Sequence, residues 1–223
     1  MPLLPSYIHI VNPKLKHIYL SFDDAGELII KSPNISQKSI EQLLLKKSTW
    51  ITKSRKKLED KKGKVLDFKQ QTTFYFLGEP HPVKLIFCEK KRTTLHFDGD
   101  VFSIFYNTFD SYIFQKHLDN FYKEEAKAYI PNIVRQWAKT MNVSPNRISF
   151  RKTKRQWGSC SAKNDLSFNT MMMKLPLHVI QYIIVHELAH ITHKHHQKSF
   201  WALVGTYLPE YKTQIEELKK YST

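Results

Sequence analysis

His186, Glu187 and His190 are the residues with the clearest capacity for chemistry, because together they form the pattern H-E-x-x-H. Residues four apart lie on one face of an α-helix, so both histidine side chains can reach a single metal ion. Glu187 follows the first histidine, where its carboxylate can accept a proton from a water molecule on that ion. The pattern therefore predicts a metal-dependent hydrolase with Glu187 as the catalytic base.

Two histidines do not complete a catalytic metal site, which needs a third protein ligand and one position for water. His193 is seven residues beyond His186, a rise of about 10.5 Å along a helix, whereas zinc–nitrogen bonds measure only about 2.0–2.1 Å. His196 has the spacing of the third histidine in H-E-x-x-H-x-x-G-x-x-H, in which the chain turns after the helix. This chain has no glycine there, and His195 is predicted to take the turning position with a positive φ. His196 is the predicted third ligand, with His193 as the alternative.

The helix that carries these residues is predicted to open at Leu175-Pro176, since proline is tolerated at the first helical position. Its predicted buried face consists of Val179, Ile180, Ile183, Ile184 and Leu188. The stretch just before it, residues 166–170, is predicted to be the sheet edge on which an extended substrate lies. A last helix is predicted over about residues 198–221, interrupted by Pro209.

The N-terminal half has strand-like patterns on both sides of one basic helix. Residues 7–31 predict two strands, and residues 70–107 predict four, separated by turn signals. Between them, Ser36 can cap a helix that runs to about Lys61. From residue 111 to 142 apolar residues recur every three or four positions, which predicts a long helix that Pro131 kinks or splits.

These patterns predict an α+β fold with two domains. Residues 1–109 are expected to form a β-rich N-terminal domain with the basic helix, because strand-like periodicity ends there. Residues 110–223 are expected to form a second domain that contains the metal-binding helix.

The chain is strongly basic, with 35 lysines and arginines against 20 acidic residues and a formal net charge of +15. Such a surface attracts polyanions, which makes nucleic acid a candidate partner, the alternative being a solvated basic face. The two cysteines, Cys88 and Cys160, form no C-x-x-C pair, which favours a reducing, cytoplasmic setting over a disulfide framework. The sequence shows neither a secretory signal nor an apolar run of about 18 residues, so a membrane-embedded protease is not expected.

Several motifs in residues 151–211 are shared with one known family. They are Trp157-Gly158-Ser159-Cys160, Asn169, Pro176, His186-Glu187-Leu188-Ala189-His190, His196 and Phe200-Trp201. On these residues the chain resembles the YgjP-like metallopeptidase family, relatives of the SprT and WLM-type zincins. The resemblance implies a zincin-like metallopeptidase domain over residues 110–223 that depends on Zn2+. It also implies that His186, His190 and His196 are the metal ligands and that Glu187 is the base.

The predicted function is the hydrolysis of peptide bonds in a protein or peptide substrate by a zinc metallopeptidase. Glu187 is its predicted general base. Two alternatives remain open. One is a basic nucleic-acid-associated binding module with a structural metal, and the other is a metal-dependent hydrolase that cleaves a non-peptide bond.

Some residues near the motif have an open role. A hydrogen-bond donor for the transition state is expected among Arg155, His178, Tyr207 and Tyr211. The Trp157–Cys160 stretch is either a turn beside the cleft or part of the packed core. Cys160 is expected to be a structural thiol, with a nucleophile or a fourth metal ligand as alternatives.

Overall fold

The protein is described by a computed structural model over residues 5–22, 27–59, 68–69, 73–90 and 92–222. The chain divides into two compact units, Met1–Val65 and Leu66–Thr223. Both units combine strands with helices, so the predicted α+β class is confirmed. The domain boundary predicted between residues 109 and 110 falls inside the second unit.

The described part of the first unit is a three-stranded sheet with two helices. Its elements are β1 (Tyr7–Val11), β2 (Tyr19–Phe22), β3 (Leu28–Ser32), α1 (Gln37–Lys46) and α2 (Ser48–Glu59). Strand β3 is central, parallel to β1 and antiparallel to β2. Because side chains alternate along a strand, Leu28 and Ile30 share one face of β3. They pack there with Ile40, Leu44 and Ile51 of the two helices.

The basic helix predicted over residues 36–61 is in fact two helices. Ser36 caps α1 as predicted, since its hydroxyl accepts a hydrogen bond from the Ser39 backbone N–H at 3.2 Å. The helix then breaks at Lys47, whose ψ of 6° departs from the helical value. A straight helix of that length would extend about 39 Å, so the break lets both helices pack on strands of only four or five residues. The predicted end at Lys61 lies outside the described residues.

The second unit, over its described residues, contains two sheets, four α-helices and one 3₁₀ helix. The first sheet has β4 (Thr73–Phe76), β5 (Glu79–Phe87), β6 (Thr94–Phe97) and β7 (Phe102–Tyr106), in the order β4-β5-β7-β6. The second sheet has β8 (Arg147–Arg151), β9 (Gly158–Cys160) and β10 (Asp165–Asn169), in the order β8-β10-β9. The helices are α3 (Ser111–Thr140), the 3₁₀ helix (Thr170–Lys174), α4 (Leu177–Thr192), α5 (Lys198–Tyr207) and α6 (Tyr211–Leu218).

Helix α3 packs against α4 and the 3₁₀ helix. The Asp110 carboxylate caps its first turn by accepting hydrogen bonds from the backbone N–H groups of Tyr112 and Ile113. Every fourth residue is buried, namely Phe114, Leu118, Tyr122, Ala126, Ile130, Val134 and Ala138. Pro131 does not split the helix, because buried residues on both sides of it hold the helix on one core. Neither α3 nor any other described helix is long and apolar enough to cross a lipid bilayer.

The turn between β4 and β5 fixes the start of α4. Gly78 has a φ of +92°, which glycine adopts readily, and a β-carbon there would lie only 2.7 Å from Pro176 Cγ. The backbone N–H groups of Leu77 and Gly78 donate to the carbonyls of Met173 and Lys174, at 2.8 and 3.2 Å. Pro176 therefore lies just before α4 rather than at its first helical position, and the helix begins one residue later than predicted.

Candidate metal centre

Helix α4 positions three of the residues that the sequence singles out. The predicted apolar face, from Val179 to Leu188, is buried in the core. His186 and His190 are partly buried and lie about one turn apart on the same side of the helix. Glu187 is buried, with only 6% of its surface exposed. The helix thus presents two imidazoles side by side and holds a carboxylate next to them in the protein interior.

The end of α4 brings a third histidine to this place. The helix ends at Thr192 because His193 adopts an extended conformation, with φ −126° and ψ 105°. Residues 193–197, the α4–α5 connection, then lead into α5 and carry His196. The positive φ predicted for His195 is wrong, since the described non-glycine residues with positive φ lie elsewhere in the chain. The extended conformation of His193 redirects the chain instead.

Three imidazole nitrogens converge at the end of α4. His196 Nε2 lies 3.0 Å from His190 Nε2 and 3.1 Å from His186 Nε2. Two nitrogens on a tetrahedral zinc ion, with bonds of about 2.0–2.1 Å, would be about 3.3 Å apart. The three residues therefore fit a metal ion with imidazole ligands. The His193 ring lies beside His195 instead, with the ring centroids 5.7 Å apart.

The second nitrogen of each ring on α4 has its own polar neighbour. His190 Nδ1 lies 2.9 Å from the His193 carbonyl oxygen, which can only accept, so Nδ1 carries the proton and donates. Nε2 of His190 is then free to bind a metal. The Tyr182 hydroxyl lies 3.4 Å from His186 Nδ1. Contacts of this kind around metal sites orient the imidazole and set its tautomer.

Burial and mutual proximity keep these rings neutral. Burial, with a smaller effect from the nearby His190 and His196, lowers the pKa of His186 to about 3. Burial also lowers the pKa of His190, although the hydrogen bond with His193 opposes the change. Because a metal ligand must be unprotonated, the histidines of α4 are ready to bind a cation at neutral pH.

Two aromatic residues of α5 hold the histidine cluster. Phe200 is buried, and its ring centroid lies 4.9, 4.5 and 4.8 Å from those of His186, His190 and His196. The Trp201 indole N–H donates a hydrogen bond to the His196 carbonyl at 3.1 Å. Helix α5 therefore fixes both the rings of the cluster and the backbone of the connection.

Glu187 lies against β9. A β-carbon at Gly158 would be 2.7 Å from Glu187 Oε1, so a larger residue there would displace the carboxylate. Burial raises the pKa of Glu187 to about 8, so without a metal ion this carboxyl group is protonated at neutral pH. Of the stretch predicted as a turn or as core packing, Gly158–Cys160 form strand β9 beside this carboxylate, and Trp157 packs partly buried against the core.

The metal-free protein is expected to lose stability as the pH rises from about 6.5 to 8. Burial raises the pKa of Glu187 from 4.5 to about 8, so in this window the folded state holds a proton that the unfolded state has released. The lowered pKa values of His186 and His190 act below about 6.5, and the pKa of Lys174, lowered by burial to about 8, affects stability mainly above the window. The expected loss is on the order of 2 kcal/mol over the window.

Urea unfolding of the metal-free protein at both ends of this pH window measures the loss. The Glu187→Gln variant is the matched control, because its amide has no proton to release and its stability should stay level. A parent protein that is equally stable at both pH values would contradict the burial-raised pKa of Glu187.

The sheet edge next to α4 is β9. Residues 166–170 are predicted as an edge, but β10 is the central strand, paired with β8 on one side and β9 on the other. That prediction is wrong because the order of strands in a sheet is set by distant pairings, which the local apolar pattern does not contain.

One buried side chain holds the segment that leads into β9. The Asn169 amide nitrogen donates to the backbone carbonyls of Thr153 and Gln156, at 2.7 and 2.9 Å. The Asn169 side-chain oxygen accepts a hydrogen bond from the Met171 backbone N–H at 3.1 Å. The residue thus ties this segment to the end of β10 and sets where the chain enters β9.

Cys160 is a partly buried thiol at the end of β9. Its Sγ accepts a hydrogen bond from Lys194 Nζ at 3.5 Å. Burial raises the pKa of the thiol, which disfavours the thiolate that a nucleophile or a metal ligand needs. These observations favour the structural role expected for Cys160.

The contacts of His178 and Tyr211 bear on their expected role as transition-state donors. His178 pairs with Glu217 of α6 and lies about 12 Å from His186 along the helix, so it is remote from the cluster. Tyr211 stacks on Trp201, with the ring centroids 5.4 Å apart, and Trp201 in turn contacts the histidines.

The family model described as the YgjP-like metallopeptidase domain matches residues 16–221. The chain belongs to the YgjP-like metallopeptidase family. The resemblance seen in the sequence motifs is thereby confirmed, and membership in this family makes the chain a metallopeptidase-type hydrolase.

Solved structures similar to this YgjP-like chain include two metallopeptidase zymogens. Abylysin of Pyrococcus abyssi is 19% identical, with a TM-score of 0.38, and the match covers 42% of this chain and 99% of that chain. Jannalysin of Methanocaldococcus jannaschii is 27% identical, with a TM-score of 0.35, and the match covers 40% of this chain and 91% of that chain. No curated protein matches the chain.

Two residues near the histidine cluster of this YgjP-like chain are absent from the sequence predictions: Tyr182, which lies beside His186, and Lys194 in the α4–α5 connection. Tyr182 precedes His186 by four residues, and the same helical spacing that pairs the two histidines could have indicated it. Lys194 has no such signal, because its hydrogen-bond partners lie at least 30 residues earlier in the sequence.

Proposed function

We propose that this YgjP-like protein is a zinc-dependent peptidase that hydrolyses peptide bonds with Glu187 as the general base. The convergence of three imidazole Nε2 atoms beside a buried carboxylate is the observation that carries the proposal. His186, His190 and His196 would hold the zinc ion. Membership in a metallopeptidase family supports a protein or peptide as the substrate.

The groups at the site have separate roles. When bound, zinc polarises the scissile carbonyl and lowers the pKa of water to about 7. Glu187 accepts a proton on a carboxylate oxygen from the water that attacks the carbonyl carbon, and later donates this proton to the departing amine. A nearby cation lowers the pKa of a carboxyl group. The loaded site therefore holds Glu187 as a carboxylate at neutral pH, which a base requires.

An extended substrate would pair with the outer edge of β9. The Ser161 N–H donates to the Asp165 carbonyl at 2.9 Å, so Ser161 faces β10. Along an antiparallel strand, residues whose backbone N–H and C=O groups point toward the neighbouring strand alternate with residues whose groups point away. The backbone groups of Gly158 and Cys160 therefore point away from β10. A peptide that adds to this edge would pass Glu187, whose carboxylate lies against Gly158.

Metal removal tests the proposal. A chelator such as 1,10-phenanthroline is expected to abolish cleavage of an unfolded protein, because the carbonyl is then no longer polarised. One equivalent of zinc should restore cleavage, as measured by mass spectrometry of the products. A carboxylic ester and a phosphate ester serve as controls. Undiminished cleavage without metal, or hydrolysis of an ester but not of peptides, would contradict it.

Two alternatives from the sequence stay predictions. Binding of nucleic acid rests on the net charge of +15. Hydrolysis of a non-peptide bond would use the same histidines and the same carboxylate. Family membership favours the peptidase over both.

A further inference from the structure

The α4–α5 connection, residues 193–197, is hydrogen-bonded through Lys194 to a part of the chain outside both helices. Lys194 Nζ donates hydrogen bonds to the Ser161 carbonyl oxygen at 2.9 Å and to Asn164 Oδ1 at 2.7 Å. It also contacts Cys160 Sγ at 3.5 Å. An ammonium group has three N–H donors, and these three acceptors all lie at the β9–β10 turn (residues 160–164).

The β9–β10 turn is itself well ordered by hydrogen bonds. Asn164 has a φ of +63°, and its carbonyl accepts a hydrogen bond from the Asn146 backbone N–H at 3.0 Å. The Ser161 hydroxyl accepts hydrogen bonds from the backbone N–H groups of Lys163 and Asp165, at 3.2 and 3.0 Å. The turn therefore offers Lys194 a fixed set of oxygen acceptors.

Lys194 lies between two residues that build the histidine cluster. The carbonyl of His193, one residue earlier, orients the His190 ring. His196, two residues later, supplies one of the converging nitrogens. The connection is not helical, and His196 is exposed. Lys194 therefore lies in the same short connection as the carbonyl that contacts His190 and the residue that supplies the third imidazole.

We propose that Lys194 is a positioning residue for the metal site. Its ammonium group holds the connection on the β9–β10 turn. This keeps the His193 carbonyl and the His196 ring in position beside the histidines of α4. Trp201 holds the same connection from α5, through the His196 carbonyl. The inference rests on the proposed function only in that His186, His190 and His196 bind the zinc.

The zinc dissociation constant, measured by competition with a chromophoric chelator, tests the role of Lys194. Lys194→Met removes the donors but keeps an apolar stem, and we expect zinc to bind up to about 10-fold more weakly, less than the loss of about 10- to 100-fold for a residue that hydrogen-bonds a ligand directly. Lys198→Met removes the same charge from the exposed first residue of α5 and is expected to leave zinc affinity unchanged. Lys194→Arg, which keeps donors at this place, should recover part of the affinity.

Asn164→Gly removes one acceptor of Lys194, and glycine tolerates the φ of +63°. It is expected to weaken zinc binding, and the double variant with Lys194→Met should bind no more weakly than Lys194→Met alone. The visible spectrum of bound Co2+ should change in both single variants, because it reports the ligand geometry and not the stability of the fold. If Lys194→Met does not fold, Asn164→Gly and Lys194→Arg carry the test.

Zinc affinity in Lys194→Met and Asn164→Gly equal to that of the Lys198→Met control would overturn the inference. Because zinc binding is measured without substrate, a chain that binds zinc but cleaves no peptide would refute the proposed function and leave the role of Lys194 standing. A parent chain that binds no zinc would refute both.

Discussion

Glu187→Gln is expected to slow peptide hydrolysis by about 10²- to 10⁴-fold, the usual contribution of a general base, while zinc remains bound. The amide has nearly the same shape as the carboxylate, so it fits the space against Gly158. It cannot accept a proton from the attacking water. The three converging nitrogens belong to other side chains, so the proposed metal ligands are untouched. The measurement is kcat/KM on an unfolded peptide, made beside the zinc content of the same sample.

Glu210→Gln is the matched control for this substitution. Glu210 is an exposed carboxylate just before α6 whose side chain makes no capping hydrogen bond, so its loss should leave turnover unchanged. Glu187→Asp keeps the carboxylate but withdraws it by one methylene and should give an intermediate rate. Unchanged turnover in a zinc-loaded Glu187→Gln protein would remove Glu187 from the mechanism.

His196→Ala is expected to weaken zinc binding by more than about 100-fold, a larger loss than for an outer partner. The substitution removes one of the three nitrogens that converge within 4.8 Å. His193→Ala is expected to stay within a few-fold of the parent, because the His193 carbonyl, which orients His190, is part of the backbone. Metal content after dialysis, followed by chelator competition, separates the two variants.

His195→Ala serves as the control for losing an imidazole from the α4–α5 connection. The His195 ring lies beside that of His193 and is not one of the three converging imidazoles, so zinc should be retained. Zinc retained in His196→Ala and lost in His193→Ala would show that the ligand set is wrong.

The local part of the site could be predicted from sequence because helix geometry repeats over a few residues. A spacing of four brings His186 and His190 together, and the apolar pattern of α4 defines its buried face. The spacing of His196 predicts a return of the chain after the helix. The positive φ predicted for His195 was wrong. A positive φ is only one way for a chain to leave a helix, and here His193 does so with an extended conformation.

Contacts between distant segments could not be predicted in this way. Gly158 makes room for Glu187, and Lys194 binds the β9–β10 turn, but no periodic pattern connects such segments. The boundary at residues 109 and 110 follows a true change from strands to helix. Even so, Phe102 of β7 and Phe121 of α3 lie on opposite sides of it, and their ring centroids are 5.1 Å apart.

All three converging imidazoles come from residues 186–196. Closing so short a loop costs little entropy, because this cost grows only as about (3/2)RT ln n with loop length n. An unfolded chain can therefore gather the same nitrogens around zinc. Ligand binding to the unfolded state reduces the gain in stability that binding to the folded state provides. At the proposed site, zinc should then raise the melting temperature by less than its affinity for the folded protein implies.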